Sequence, residues 1–170
     1  MRLKSFFYNQ LITGFLLLLL FVSFQGLFAE VFTIKNIKLD LAILIVVGLG
    51  LFKGPNYGVV YGFLIGFLLD LYQPQFLGLN ALLKSIIGYV AGNFKDDLYL
   101  ETLFSKGVVV MLALWVNDFL YYLVTESFNF PLVFSTWLNY SLLSSFYTAI
   151  VAIIVFALRE KRVSPKKVSE

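Results

Sequence analysis

Apolar residues run through this chain in long blocks separated by short polar interruptions. The blocks have the length of membrane-crossing helices rather than of strands or of an amphipathic soluble bundle. A hydrocarbon core about 30 Å thick takes about 20 helical residues at 1.5 Å each. Six runs approach or meet that length: Leu11 to Ala29, Leu39 to Phe52, Pro55 to Tyr72, Gly78 to Gly92, Leu103 to Thr125 and Phe134 to Leu158. The expected fold is all-α, a polytopic integral membrane bundle of six transmembrane helices that forms one domain over residues 1–170. The second and fourth runs are short, so they are expected to lie buried among longer neighbours, or one of them to be re-entrant. The first follows Arg2 and Lys4 as a signal peptide would. Leu27, however, stands where cleavage after Ala29 needs a small residue, and the run reads as an uncleaved helix.

Charge sets the orientation. With six spans, one side collects Arg2, Lys4, Lys53, Lys95, Lys106, Arg159, Lys161, Arg162, Lys166 and Lys167, and the other only Lys35 and Lys38. The expectation is a multi-pass membrane protein with both termini in the cytoplasm. Its tail, residues 159–170, would lie as a solvated anchor on anionic lipid.

Composition agrees, with 60% of the residues hydrophobic and 14% charged. That is far from the roughly 25% charged residues of an ordinary soluble domain. The net charge is +3, but its basic residues flank apolar spans, so they read as topology signals and not as a nucleic-acid surface. The chain has no Cys and no His. This removes disulfides, thiolate or imidazole metal sites and every His-activated nucleophile. No metal, no cofactor and no enzymatic activity are expected.

Four ionisable residues fall in or at the spans: Asp40, Asp70, Lys84 and Asp118. Each is costly in lipid, at about 2.5–3.5 kcal/mol even on insertion scales, and needs a partner or a role. The topology puts Asp40 one residue into a helix that starts outside, and Asp70 two residues before an outer end. Lys84 and Asp118 come out about 9–10 Å below the outer face. All four are expected in the outer half, where Lys84 would pair with Asp70 or with Asp118. Asp40 and Asp70 have the alternative of reaching the outer headgroups. Asn80, at the start of the fourth run, is placed either to cap that helix or to bond a neighbouring carboxylate. The intramembrane polar cluster is thus Asp40, Asp70, Asn80, Lys84 and Asp118.

Glycine spacing is the other regular signal. Gly54, Gly58, Gly62 and Gly66 recur every four residues, and Asp70 continues the interval. Gly88 and Gly92 form a second such pair on the fourth span, while Gly48 and Gly50 lighten the end of the second. Bare stripes let helices approach backbone to backbone. These glycines are read as internal helix packing or, alternatively, as a docking face for another membrane protein. The sixth span carries Ser135, Thr136, Ser141, Ser144, Ser145 and Thr148, whose hydroxyls can bond helix carbonyls or cross between helices. The inner loop Lys95-Asp96-Asp97, with Glu101, reads as solvated.

The stretch LDLAILIVVGLGLFKGPNYGVVYGFLIGFLLDLYQPQFLGLNALLKSIIGYVAGNF, from Leu39 to Phe94, resembles the bacterial rod shape-determining protein MreD family. The likeness rests on an Asp-Leu opening a short apolar helix, a Lys-Gly-Pro turn and a glycine-spaced helix ending Leu-Leu-Asp-Leu. A Leu-Gly-Leu-Asn-Ala-Leu segment then leads into a helix ending Gly-Tyr-Val-Ala-Gly. Two places depart from the family pattern, Leu39 where Pro is common and Gln73-Pro74 where Ser-Gly is common. The resemblance implies a small non-catalytic membrane component of the elongation machinery. Its partners would be MreC directly and, through a larger complex, MreB, RodA and a penicillin-binding transpeptidase, together with membrane lipids. It also implies a helical arrangement resembling the vitamin-binding S components of energy-coupling-factor transporters. A substrate-binding membrane subunit or small transporter, with Asp70, Asn80, Lys84 and Asp118 lining an outward pocket, is therefore the competing expectation. An intramembrane aspartyl protease built on Asp70 and Asp118 lacks the Tyr-Asp and Gly-x-Gly-Asp contexts of that class.

Overall fold

The computed structural model describes residues 39–96 and 102–163, with side chains to residue 160. The predicted first span, Arg2, Lys4, Lys35, Lys38, Asp97 and Glu101 lie outside the described residues, as do the tail from residue 164 and the side chains of Lys161 and Arg162. The described residues form α1 (Leu41–Lys53), α2 (Pro55–Asp70), α3 (Leu79–Asn93), α4 (Leu103–Thr125) and α5 (Phe130–Val163). A 3₁₀ turn, Pro74–Phe76, lies between α2 and α3, and no strand occurs among the described residues. These helices correspond to the second through sixth predicted spans. The last is longer at both ends than its apolar run.

Local chemistry accounts for the boundaries. Asp40 caps α1, its Oδ1 accepting from Ile43 N at 2.9 Å, and Lys53 closes the same helix where a cation meets the carbonyl end of the dipole. Gly54 turns the chain at φ 103°, a conformation an L side chain resists, and Pro55 follows at the first helical position of α2. Thr102 caps α4 through Ser105 N. The α4–α5 turn places Ser127 and Phe128 at φ 50° and 61°. Phe128 N donates back to Leu123 O at 2.9 Å, which ends α4 with a left-handed cap.

Packing divides the bundle into two hairpins joined by a central helix. α2 lies along α3, α4 lies along α5, and the short α1 touches all four. α1 is apolar all round because it is enclosed. Ala42 and Val46 pack with Ile65 and Leu68 of α2, while Ile43, Leu44, Val47 and Leu51 pack with Ile87, Ala91, Val110, Leu114, Ala152 and Phe156. The expectation that the short spans are enclosed holds for α1 and only halfway for α3. Leu82, Ile86, Tyr89 and Val90 of α3 are exposed, because its glycine face is committed to α2 and its opposite face has no described neighbour.

α4 and α5 are clasped by their tryptophans. Trp115 Nε1 donates to Ser145 Oγ at 2.7 Å, Trp137 Nε1 donates to Trp115 O at 3.0 Å, and the two indoles meet edge to face at 5.7 Å. Both indole N–H groups are therefore satisfied inside an apolar contact, as buried tryptophans require. At the far end Lys106 pairs with Glu160 at 2.5 Å, and the Arg159 guanidinium lies 3.5 Å above the Phe52 ring. Lys53 sits over Tyr57 at 5.1 Å. Lys53, Lys95, Lys106 and Arg159 thus gather at one end of the bundle, away from Asp70 and Asp118.

Two helices among the described residues, α4 and the Phe130–Glu160 part of α5, are long and apolar enough to cross a membrane; α1 is a shorter apolar helix. The exposed faces are also apolar. Tyr57, Val60, Phe63 and Phe67 on α2, and Leu143, Phe146, Ile150 and Ile154 on α5, are each more than a third exposed. Contiguous apolar surface of this kind suits lipid or a protein partner rather than water.

Candidate functional site: a buried polar cluster at one end of the bundle

The site begins with a helix that cannot cap itself. α3 starts at Gly78, which at φ 95° supplies the left-handed turn but has no side chain to accept the first helical N–H groups. Asp70, the last residue of α2 and fully buried, supplies the acceptor from eight residues earlier. Its Oδ1 accepts from Asn80 N and its Oδ2 from Ala81 N, each at 3.0 Å. These are the N–H groups that a helix's own capping side chain would take. Gly78 N also donates to Oδ2, and Asn80 Nδ2 to Oδ1, both at 3.0 Å. Four donors and the positive end of the α3 dipole thus neutralise a carboxylate that is fully buried.

Asn80 passes the interaction on. Its Oδ1 accepts from Lys84 Nζ at 3.1 Å, one helical turn further along. The ammonium, on a residue only 2% exposed, is joined to Asp70 through an amide rather than in direct contact. The expected direct pairing of Lys84 with Asp70 or Asp118 is therefore replaced by a relay, and neither carboxylate is in ion-pair contact with Lys84. The physical reason is that Asp70's oxygens are already filled by the α3 N-terminus, while Lys84 lies one turn down the same helix. Of the two roles open to Asn80, bonding the neighbouring carboxylate is the one adopted. Asp70 lies fully buried inside the bundle. Lys84→Met keeps the chain length but removes the ammonium, and is expected to cost about 1–3 kcal/mol. Thermal unfolding of the purified protein checks this, and a loss exceeding that of an Asp70 substitution would contradict the relay.

The second half of the cluster stands on α4 and α5. Asp118 accepts from Asn117 Nδ2 at 3.1 Å, lies beside Ser141, and is within electrostatic reach of Asp40 and Lys84. Asp40 N donates to Thr148 Oγ1 at 3.3 Å. This sets the level of Asp40 along α5. Thr148 is 18 residues, about 27 Å, along α5 from Phe130, so α1 begins level with the middle of α5 rather than at its tip. A 13-residue α1 beside a 34-residue α5 leaves the half-buried capping Asp40 against the middle of that helix. The structure thus brings Asp70, Asn80 and Lys84 into one bonded chain and places Asp118 and Asp40 near it. Sequence reasoning did not place Ser141, Thr148 or Asn117 in the cluster. Their only signal was polarity in an apolar helix, which a back-bonding hydroxyl gives equally well. Tyr121 also joins this end, its hydroxyl donating to Gln73 Oε1 in the α2–α3 connection.

The glycines lie behind the cluster and hold its walls together. A Cβ on Gly58 would fall 2.0 Å from Gly88 O, one on Gly62 2.4 Å from Lys84 O, and one on Gly66 2.3 Å from Asn80 O. From the other side, a Cβ on Gly88 would meet Gly58 O at 2.2 Å and one on Gly92 would meet the Pro55 Cα at 2.3 Å. The two stripes therefore face each other in an antiparallel backbone contact. Gly50 of α1 adds to it, since a Cβ there would lie 2.8 Å from Gly88 O. Gly54 belongs to the turn instead, with only the Lys95 side chain nearby at 3.5 Å. Of the two readings, internal packing describes Gly58, Gly62, Gly66, Gly88 and Gly92.

Among the described residues no group of three or more Asp, Glu, His or Cys is placed to hold a metal ion. No curated protein and no solved structure matches the chain. A family model does: the one described as rod shape-determining protein MreD, over residues 5–162. The match extends well beyond the glycine-striped hairpin and the Asp70 cap to nearly the whole sequence, and the chain belongs to the rod shape-determining protein MreD family.

Proposed function

We propose that this chain is a non-catalytic membrane scaffold of the bacterial elongation machinery, which binds MreC and helps to organise lateral peptidoglycan synthesis and rod shape. Family membership places it in rod shape determination. The observation that supports a scaffold is the state of the polar cluster. Asp70 spends both carboxylate oxygens on the α3 N-terminus and Asn80, and Asn80 Oδ1 accepts from Lys84 Nζ, which fixes the register of the α2–α3 hairpin. In the same reading the chain spans the membrane six times. Its basic end, with Lys53, Lys95, Lys106 and Arg159, faces the cytoplasm with both termini, and the Asp70 end faces outward. The exposed apolar faces of α2, α3 and α5 then lie in lipid, where one of them receives the transmembrane helix of MreC. RodA, its partner transpeptidase and MreB join through the larger complex.

The competing reading is a substrate-binding subunit like the S components of energy-coupling-factor transporters, or a small transporter. It requires Asp70 and Asn80 to be free for a ligand, and the oxygens of both accept from the fold's own donors. Affinity capture of the tagged chain from gently solubilised native membranes separates the two. MreC with cell-wall synthases is the expected recovery. Transporter ATPases or a vitamin-sized ligand, without MreC, would overturn the scaffold reading.

A further inference from the structure

We propose that Asp118, Asn117 and Ser141 form a binding site for a monovalent alkali cation, with sodium as the ion to test. The argument starts from charge. Among the described residues the cluster holds three carboxylates, Asp40, Asp70 and Asp118, and one ammonium, Lys84, so it is anionic, and two of the carboxylates have their charge met by the fold. Asp70 has the α3 N-terminus and the relay to Lys84. Asp40 has the N-terminus of α1, bonding Ile43 N. Asp118 has neither. It lies in the last third of α4, toward the carbonyl end of that dipole, with an amide donor at 3.1 Å from Asn117 and the Ser141 hydroxyl beside it.

Two neutral oxygens beside it are unpaired. Asn117 Oδ1 and Ser141 Oγ are buried without a hydrogen-bond partner, on residues 4% and 1% exposed. The amide orientation is fixed by chemistry, because only its NH₂ can donate to the carboxylate, which leaves Oδ1 as the open acceptor. Two buried polar atoms left open next to a carboxylate that has no ion pair and no helix N-terminus are an unusual combination in a folded chain. A cation resolves all three at once.

The donor set also selects the ion. The donors are all oxygen, which suits hard cations. They carry one negative charge, and among the described residues no further Asp, Glu, His or Cys completes a trio, so the charge fits a monovalent rather than a divalent ion. Lys84, Asp40 and Tyr122 are the other titratable groups within electrostatic reach of Asp118. Lys84 opposes the ion, which makes the site weak, while Asp40 supports it.

The test is the thermal unfolding midpoint of the purified full chain in detergent, in sodium chloride against choline chloride at equal ionic strength. Ligand binding to the folded state raises the midpoint in a saturable way. The proposal expects such a rise with sodium for the wild type, no sodium-specific rise for Asp118→Asn, and a half-saturating concentration increased at least about tenfold for Ser141→Ala. Ser141→Ala decides the matter if Asp118→Asn does not fold. Equal midpoints in the two salts, or an undiminished sodium response in both variants, would overturn the site. So would a midpoint indifferent to sodium that climbs as the pH falls through the carboxylate range, since Asp118 then holds a proton instead. Recovery of MreC is a separate measurement and does not depend on this outcome.

Discussion

Asp70→Ala is expected to destabilise the protein by about 3–5 kcal/mol, among the largest losses for any single side chain here. The substitution removes the acceptor for four donors, three of them backbone N–H groups at the start of α3. No side chain on Gly78 takes over, and the site is closed to water because Asp70 is fully buried. It also strands the Lys84 ammonium, which loses the countercharge it reaches through Asn80. Asp70→Asn is expected to be nearly as damaging. One of its two terminal atoms becomes an NH₂ facing either the Asn80 donors or those of Gly78 and Ala81. Unfolding in mixed micelles, followed by circular dichroism, measures both, and a loss below about 1 kcal/mol would show that α3 is capped in some other way.

Gly62→Leu is expected to cost more than about 3 kcal/mol, beyond the ordinary range for overpacking. What an added Cβ meets is backbone, with Lys84 O at 2.4 Å and Lys84 C at 2.7 Å. Neither atom can swing aside as a side-chain tip can. The α2 and α3 axes have to separate, and with them Asp70 leaves the α3 N-terminus. Gly62→Ala already incurs most of this penalty. The control is Gly48→Ala, whose added methyl meets only the Phe156 ring at 3.1 Å and can be accommodated by a small ring shift. Unfolding midpoints of the three variants, with MreC recovery scored alongside, check the prediction. A Gly62→Leu protein that folds and retains MreC as the wild type does would show that the glycine contact is dispensable.

These two predictions also mark what the sequence discloses. The i, i+4 spacing of Gly58, Gly62 and Gly66 can be read directly, because a bare stripe implies close approach whatever lies opposite. That Gly88 and Gly92 form the opposite surface follows once α2 and α3 are seen as an antiparallel hairpin with a short connection. Asp70 could be recognised as a buried charge in need of partners, and Asn80 as one candidate. The nature of the partnership was harder to foresee. A carboxylate sequesters backbone N–H groups as readily as an ammonium, and sequence shows side chains but not the open donors of a glycine-capped helix. The level of Asp40 along α5 was hard to foresee for a related reason. Hydropathy locates each span against an imagined membrane plane, whereas packing sets a 13-residue helix against the middle of a 34-residue one. Asn117 and Ser141 carry no pattern in the sequence at all. Their interest comes only from what the fold leaves unbonded beside them.

The central claim is that a register-locked bundle serves as a membrane anchor for MreC, and direct contact in an intact membrane tests it most closely. A photo-crosslinking side chain would be placed singly at exposed positions of α2, α3 and α5, including Phe63, Ile86 and Ile150, and activated in living cells. The account predicts covalent adducts containing MreC from positions that cluster on one helix face, with neighbouring faces crosslinking only to lipid. Adducts to a transporter subunit, or no MreC adduct from any exposed position while the variants still fold and reach the membrane, would contradict it.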